Sequence, residues 1–193
     1  HEKKLSLVLQ IVPVGNWGRE AFFDATNQPW TSPSPNMRNL KEALLYPGIG
    51  ILEFTPLSVG RGTDTPFELI GAPFIDDLEL AEALNALELP GVAFTPIQFI
   101  PESSVFKGEI CQGVYISITD RSLVQPVEMG VQIASTLHAL YPDAWEIKNL
   151  NRLLRHEATQ KQILSGSTID AIQDLWHQDL KSFIERRANF LLY

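Results

Sequence analysis

Residues 50–74, GILEFTPLSVGRGTDTPFELIGAPF, put two carboxylates and an arginine inside apolar sequence. The run reads as an apolar strand, a sharp turn at Gly60-Arg61-Gly62, a polar Thr63-Asp64-Thr65, and a second, Pro-flanked strand. Glu53 lies in the first apolar run and Glu68 in the second. Burying an unpaired charge costs several kcal/mol or more. Either these three groups satisfy one another, or they face a cleft that holds something polar.

The rest of the chain must supply a core around that stretch. With 193 residues, 45% of them hydrophobic and 20% charged, it has the composition of an ordinary globular domain. The net charge of -8 argues against nucleic acid as a partner, because neutralising phosphate needs a basic face. It leaves room for a small anionic ligand held by one arginine. A single cysteine, Cys111, excludes an intrachain disulfide and a Cys-rich zinc site, and reads as a small buried hydrophobe. No apolar run reaches the roughly 20 residues that span a bilayer, and no signal peptide is visible.

In chain order, Leu5–Val14 reads as a buried, central strand. Gly15-Asn16-Trp17-Gly18-Arg19 is a turn carrying an aromatic and a cation. Asn27–Asn36, with three prolines, is an ordered loop around Trp30. Trp17 and Trp30 are either plugs under loops or stacking platforms for a sugar ring. Asn36 is the expected cap of a short helix from Met37 to about Tyr46, stopped by Pro47-Gly48. Asp76 caps a helix to about Leu89. Strands follow at Val92–Ile100, where Pro96 marks an edge or a bulge, and at Gly113–Thr119. Pro126 opens a helix to Tyr141. A helical segment, 143–193, ends in a helix expected to bury Ile169, Ile172, Trp176, Leu180, Phe183 and Ile184. The chain reads as one domain, 1–193, of α/β or α+β class: a mixed sheet flanked by helices, with a helical C-terminal third.

Standard catalytic signatures are absent: no phosphate loop, no HExxH, no GxSxG. His138, His156 and His177 are scattered over helices and read as packing or surface residues. Nothing calls for a cofactor or a metal. What remains is Glu53, Arg61 and Glu68. Paired carboxylates, one protonated and one ionised, are the working parts of most glycosidases, so Glu53 and Glu68 are the candidate catalytic residues. An arginine between glycines can approach a ligand closely and grip a carboxylate with two parallel hydrogen bonds, which suits an acidic sugar. A structural Glu–Arg pair locking the turn explains the same residues.

The strings GNWGR, QPWTSPSPNM, LLYPGIGILEFTPLSVGRGTDTPFELIGAPFID, QFIPESSVFKGEICQGVYISITD and NFLLY resemble the NamZ-type exo-β-N-acetylmuramidases, a bacterial family formerly called a domain of unknown function. The likeness runs from about Leu7 to Tyr193. It implies hydrolysis of β-1,4-linked N-acetylmuramic acid from the non-reducing end of peptidoglycan fragments, in the cell envelope. It also implies a two-part enzyme, with the cleft between a Rossmann-like N-terminal half and the C-terminal half that this chain resembles. The family's Pro-Glu-His-Gly string, expected to carry the acid chemistry, does not occur here, so the N-terminal half of the same enzyme is the expected partner. Arg61 and Thr63, with Trp17, Arg19, Trp30 and Asn36, carry over as candidate substrate-binding residues. Phe74 stands where many members have tryptophan, which weakens stacking there. The alternatives are a muropeptide or acidic-sugar binding module without catalysis, and a structural interaction domain. On the resemblance, Glu53 and Glu68 serve to place Arg61 or touch sugar hydroxyls, and proton transfer falls to the other half.

Overall fold

The computed structural model describes residues 6–192. They form two compact units: a larger one, Trp30–Gln178, and a smaller one built from residues 6–29 and 179–192. The larger unit carries a three-stranded antiparallel sheet in the order β1-β3-β2. Its strands are β1 (Leu69–Ala72), β2 (Val92–Phe99) and β3 (Cys111–Ile118). The helices are α1 (Leu40–Ile49), α2 (Asp77–Asn85), α3 (Pro126–Leu140), α4 (Asn151–Leu154), α5 (Glu157–Leu164) and α6 (Ile169–Ala188). This is the expected sheet flanked by helices.

Local chemistry sets most of these boundaries. The side chain of Asp76 accepts from the backbone N–H groups of Leu78 and Glu79 and so starts α2. Pro126 opens α3, where a missing donor costs nothing. β2 is an edge strand, which is where Pro96 can sit without breaking a ladder. The register pairs Leu69 with Tyr115 and Phe94 with Ile116. Every second residue of β3 then faces the core, and Val114 and Ile116 are fully buried. They meet Leu80 and Leu84 of α2 and Val131, Ala134 and Leu137 of α3 in one cluster. Each of the Val, Leu and Ile side chains contributes about 1.5–3 kcal/mol of apolar burial. Cys111, at the start of β3, is buried too. Burial, with Glu109 adding to it, pushes its thiol up to about 11.

α1 departs from expectation at both ends. Its cap is Asn39, not Asn36: Asn39 accepts from Glu42 N–H, and the Glu42 carboxylate accepts from the Asn39 backbone. Asn36 lies in the turn before it, with its N–H on Ser34 Oγ at 3.4 Å. A capping box needs an acid three residues on, which Asn39 has in Glu42 and Asn36 lacks. Pro47-Gly48 does not stop the helix. Pro47 sits inside α1, which continues to Ile49 and tightens into a 3-10 turn at Gly50–Leu52. Gly48 is there for contact: a Cβ on it would fall 1.8 Å from the Pro126 carbonyl oxygen, so α1 and α3 cross backbone to backbone. The expected strand at Gly50 is therefore a helical turn. Among the described residues, only Ser58, bridged to Gly71, adds to the sheet from that side.

Two further expectations fail. Ser6–Val14 forms no regular element, and Leu7, Val8 and Val12 are exposed, while Leu5 lies outside the described residues. An extended segment becomes a strand only when a neighbour takes its N–H and C=O groups, and no pairing to this one exists among the described residues. In α6, Ile172 is buried and Ile169 and Trp176 pack on the core, but Leu180, Phe183 and Ile184 are about half exposed. The larger unit's cluster reaches Trp176 and no further along this helix.

Candidate functional site

The Gly60–Gly62 turn is built to present Arg61. Gly60 and Gly62 both take left-handed φ values, 79° and 83°, which glycine reaches without steric cost. The Thr63 hydroxyl donates to the Gly60 carbonyl at 2.7 Å and accepts from Thr65 N–H at 3.2 Å. Thr63 thus closes the turn. The Gly62 carbonyl takes the Glu102 N–H at 2.8 Å, anchoring the turn to the loop after β2.

Arg61 and Glu53 come together. Arg61 Nε donates to Glu53 Oε1, and their side chains keep 31% and 16% of their exposure. Behind them, Trp145 is fully buried and donates its indole N–H to Thr55 Oγ1 at 3.1 Å, fastening the segment that carries Glu53. The guanidinium lies 5.0 Å from the centre of the Phe67 ring. Nε is the donor that Glu53 takes; the guanidinium has four further N–H donors, on a side chain that keeps 31% of its exposure.

Glu68 does not join this pair. It is buried at the entry to β1 and holds three donors: Lys41 Nζ at 2.7 Å, the Tyr115 hydroxyl at 2.7 Å and Asn39 Nδ2 at 3.2 Å. Lys41 Nζ also donates to the Tyr115 hydroxyl at 2.5 Å and sits over that ring. Burial alone would raise the Glu68 carboxyl, but hydrogen bonds from Lys41, Tyr115 and Asn39 outweigh it and hold the group below its usual value. Burial alone would lower Lys41; its bonds to Glu68 and Tyr115 outweigh that and hold it above its usual value. Glu68 is thus an ionised carboxylate locking the first turn of α1 to the sheet. One residue earlier, the Arg38 guanidinium reaches Asp64 at 3.8 Å, so the same helix start also touches the Arg61 turn.

The other candidates are spread out. Trp30 donates its indole N–H to the Met37 carbonyl at 3.3 Å and pins the proline-rich loop. Asn36 lies in the turn just described. Trp17 and Arg19 belong to the smaller unit, where half-buried Trp17 lines a concavity of about 730 Å³ with Asn16, Phe23 and Gln28. Phe74 packs edge-on against Tyr141. His156 caps α5, accepting from Thr159 N–H at 3.3 Å. Among the described residues, no three His, Cys, Asp or Glu side chains converge in a way that would hold a metal.

With that geometry in place, comparison with known proteins identifies the kind of chain this is. Residues 44–193 match the model described as "Exo-beta-N-acetylmuramidase NamZ, C-terminal", and residues 1–41 match its N-terminal counterpart. The chain belongs to the NamZ family. It is 38% identical over 188 residues to the peptidoglycan beta-N-acetylmuramidase NamZ of Bacillus subtilis strain 168, covering 96% of this chain and 45% of that protein. It therefore spans less than half the length of that relative. Two solved DUF1343 family proteins of Bacteroides fragilis NCTC 9343 are similar to this chain in fold. One superposes with a TM-score of 0.74 at 28% identity, over 92% of this chain and 48% of its own. The other gives 0.61 at 26%, over 84% and 43%.

Sequence reasoning missed Lys41, Tyr115 and Asn39. Lys41 and Tyr115 are 74 positions apart, and no local pattern joins them. Asn39 was recoverable, because Asn39-Leu40-Lys41-Glu42 spells a capping box with Asn in place of Ser or Thr.

Proposed function

We propose that this chain forms the substrate-binding wall of a peptidoglycan-processing glycoside hydrolase that releases N-acetylmuramic acid from non-reducing ends. The observation that carries this reading is the Glu53–Arg61 pair: a guanidinium fixed at Nε, with its outer nitrogens available to the lactyl carboxylate of the sugar. Glu53 orients Arg61. Glu68, held ionised by three donors, keeps the helix start and the sheet in register beneath the turn. Each carboxylate is engaged by a cation of this chain, which supports assigning the general acid to another part of the enzyme. The match of residues 1–41 to the N-terminal family model supports an N-terminal NamZ domain as that partner. We place this activity in the cell envelope, periplasmic or secreted, where peptidoglycan lies.

The test is release of N-acetylmuramic acid from a chromogenic β-muramide. The chain is assayed alone and after addition of a separately produced N-terminal NamZ domain. Negligible turnover alone, rising on addition, is the expected result. Fast turnover by the chain alone would sink the division of labour. The engagement of both carboxylates also favours a second reading, a muropeptide-binding module without chemistry of its own. That module would bind N-acetylmuramic acid through Arg61, keep binding in Glu53→Gln, and gain no turnover when the N-terminal domain is added.

A further inference from the structure

Beside Arg61 the structure carries an aromatic feature that the pairing of charges does not explain. Phe67 is 1% exposed and adopts φ 65°, a left-handed conformation that a bulky residue occupies only under constraint. Such strain persists where the surroundings over-determine it, and it clusters at ligand sites. Here it sets the Phe67 ring beneath the Arg61 guanidinium on one side and 4.9 Å from the Tyr46 ring, at 71°, on the other. Tyr46 is 39% exposed, although it stands in α1 among buried Leu45, Gly48 and Ile49. Space for its ring comes from Gly50, where a Cβ would lie 3.0 Å from a ring carbon. One buried ring thus separates a half-open guanidinium from a half-open phenol. The guanidinium and the Tyr46 ring each lie about 5 Å from the centre of the same Phe67 ring.

We infer that Tyr46 is a sugar-contact residue of this site: its ring takes the apolar face of the pyranose whose acid substituent Arg61 holds. The inference rests on the reading of Arg61 as an anion grip and adds the element that reads the ring itself. Arg61 supplies preference for the acidic sugar. Tyr46 supplies affinity common to any N-acetylated hexose, because ring stacking ignores the substituent. Phe67 is the positioning residue that fixes both.

The two contributions separate in a titration of the full chain, followed by NMR or calorimetry, with free N-acetylmuramic acid and free N-acetylglucosamine. The wild type is expected to favour the acidic sugar. Tyr46→Ala is expected to weaken both sugars about fivefold with their ratio preserved, and Tyr46→Phe to bind like the wild type. Arg61→Ala is expected to bring the ratio to about one. Equal binding of both sugars by wild type and Tyr46→Ala, at unchanged melting temperature, would overturn the assignment. So would a Tyr46→Ala loss confined to the acidic sugar, which would make the ring a support for Arg61 alone. A wild-type ratio of one with the Tyr46 effect intact would sink the Arg61 reading and leave the Tyr46 contact standing. No binding of either sugar by the wild type would sink both.

Discussion

The Arg61 turn and the Glu68 cluster lie on the same loop yet spend their charges in opposite ways. Glu68 is buried and saturated: three donors converge on it, and its two charged and phenolic partners also bond each other. The Arg61–Glu53 pair is half open and joined through one nitrogen of the guanidinium. A saturated buried network raises stability and offers nothing to a ligand. A partly exposed, under-used fork adds little stability and keeps its capacity for binding. Two glutamates fifteen residues apart, expected either to satisfy Arg61 or to face a cleft, thus divide into a lock and a rest.

Four substitutions or conditions can break that contrast, and the largest effect belongs to the lock. Glu68→Ala leaves Lys41 and Tyr115 without their shared acceptor, and is expected to cost about 3 kcal/mol in urea unfolding. A loss below about 1 kcal/mol would mean that the cluster is not the lock described. Next is pH. The folded Glu68 carboxyl lies below its usual value of 4.5, so its stabilisation is complete above that value and fades as pH falls through the lower folded one. Melting temperatures from pH 6 down to pH 3 should therefore drop more steeply in wild type than in Glu68→Gln; parallel curves would contradict this. Third, Arg61→Lys keeps the charge but loses the planar fork. Stability should change by less than about 1 kcal/mol, while affinity for N-acetylmuramic acid falls about tenfold. The smallest effect is Glu53→Gln, which should shift stability by about 0.5 kcal/mol and affinity by no more than about threefold, since the amide oxygen still accepts from Arg61 Nε. A larger stability loss in Glu53→Gln than in Glu68→Gln would reverse the comparison.

What was legible in the sequence follows the range of the interactions. Caps, proline positions and strand alternation act over a few residues. Accordingly Asp76, Pro126, the edge position of Pro96 and the buried side of β3 all read correctly. Pro47-Gly48 misled because local signals said stop while a tertiary contact, the bare backbone of Gly48 against Pro126, kept the helix going. Leu5–Val14 misled in the other direction: the pattern suits a strand, but a strand also needs a neighbour that no pattern supplies. At the site, the turn and its arginine were visible because two glycines flank a cation and a threonine follows. The choice of partners was not. Glu53 and Glu68 are equally plausible acceptors along the chain, and Lys41, which decides between them by taking Glu68, arrives from another helix.

Cys111 gives the molecule a reporter that needs no engineering. Its sulfur is sealed at the start of β3, opposite Phe99 of the edge strand, and its thiol is held protonated at neutral pH. Thiolate is the reactive form, so a thiol reagent meets almost nothing in the closed sheet. Each labelling event then counts an excursion that uncovers Cys111. The labelling rate, read with and without sugar, measures whether occupancy of the turn, tied through Glu102 to the loop after β2, is felt as rigidity at this end of β2 and β3.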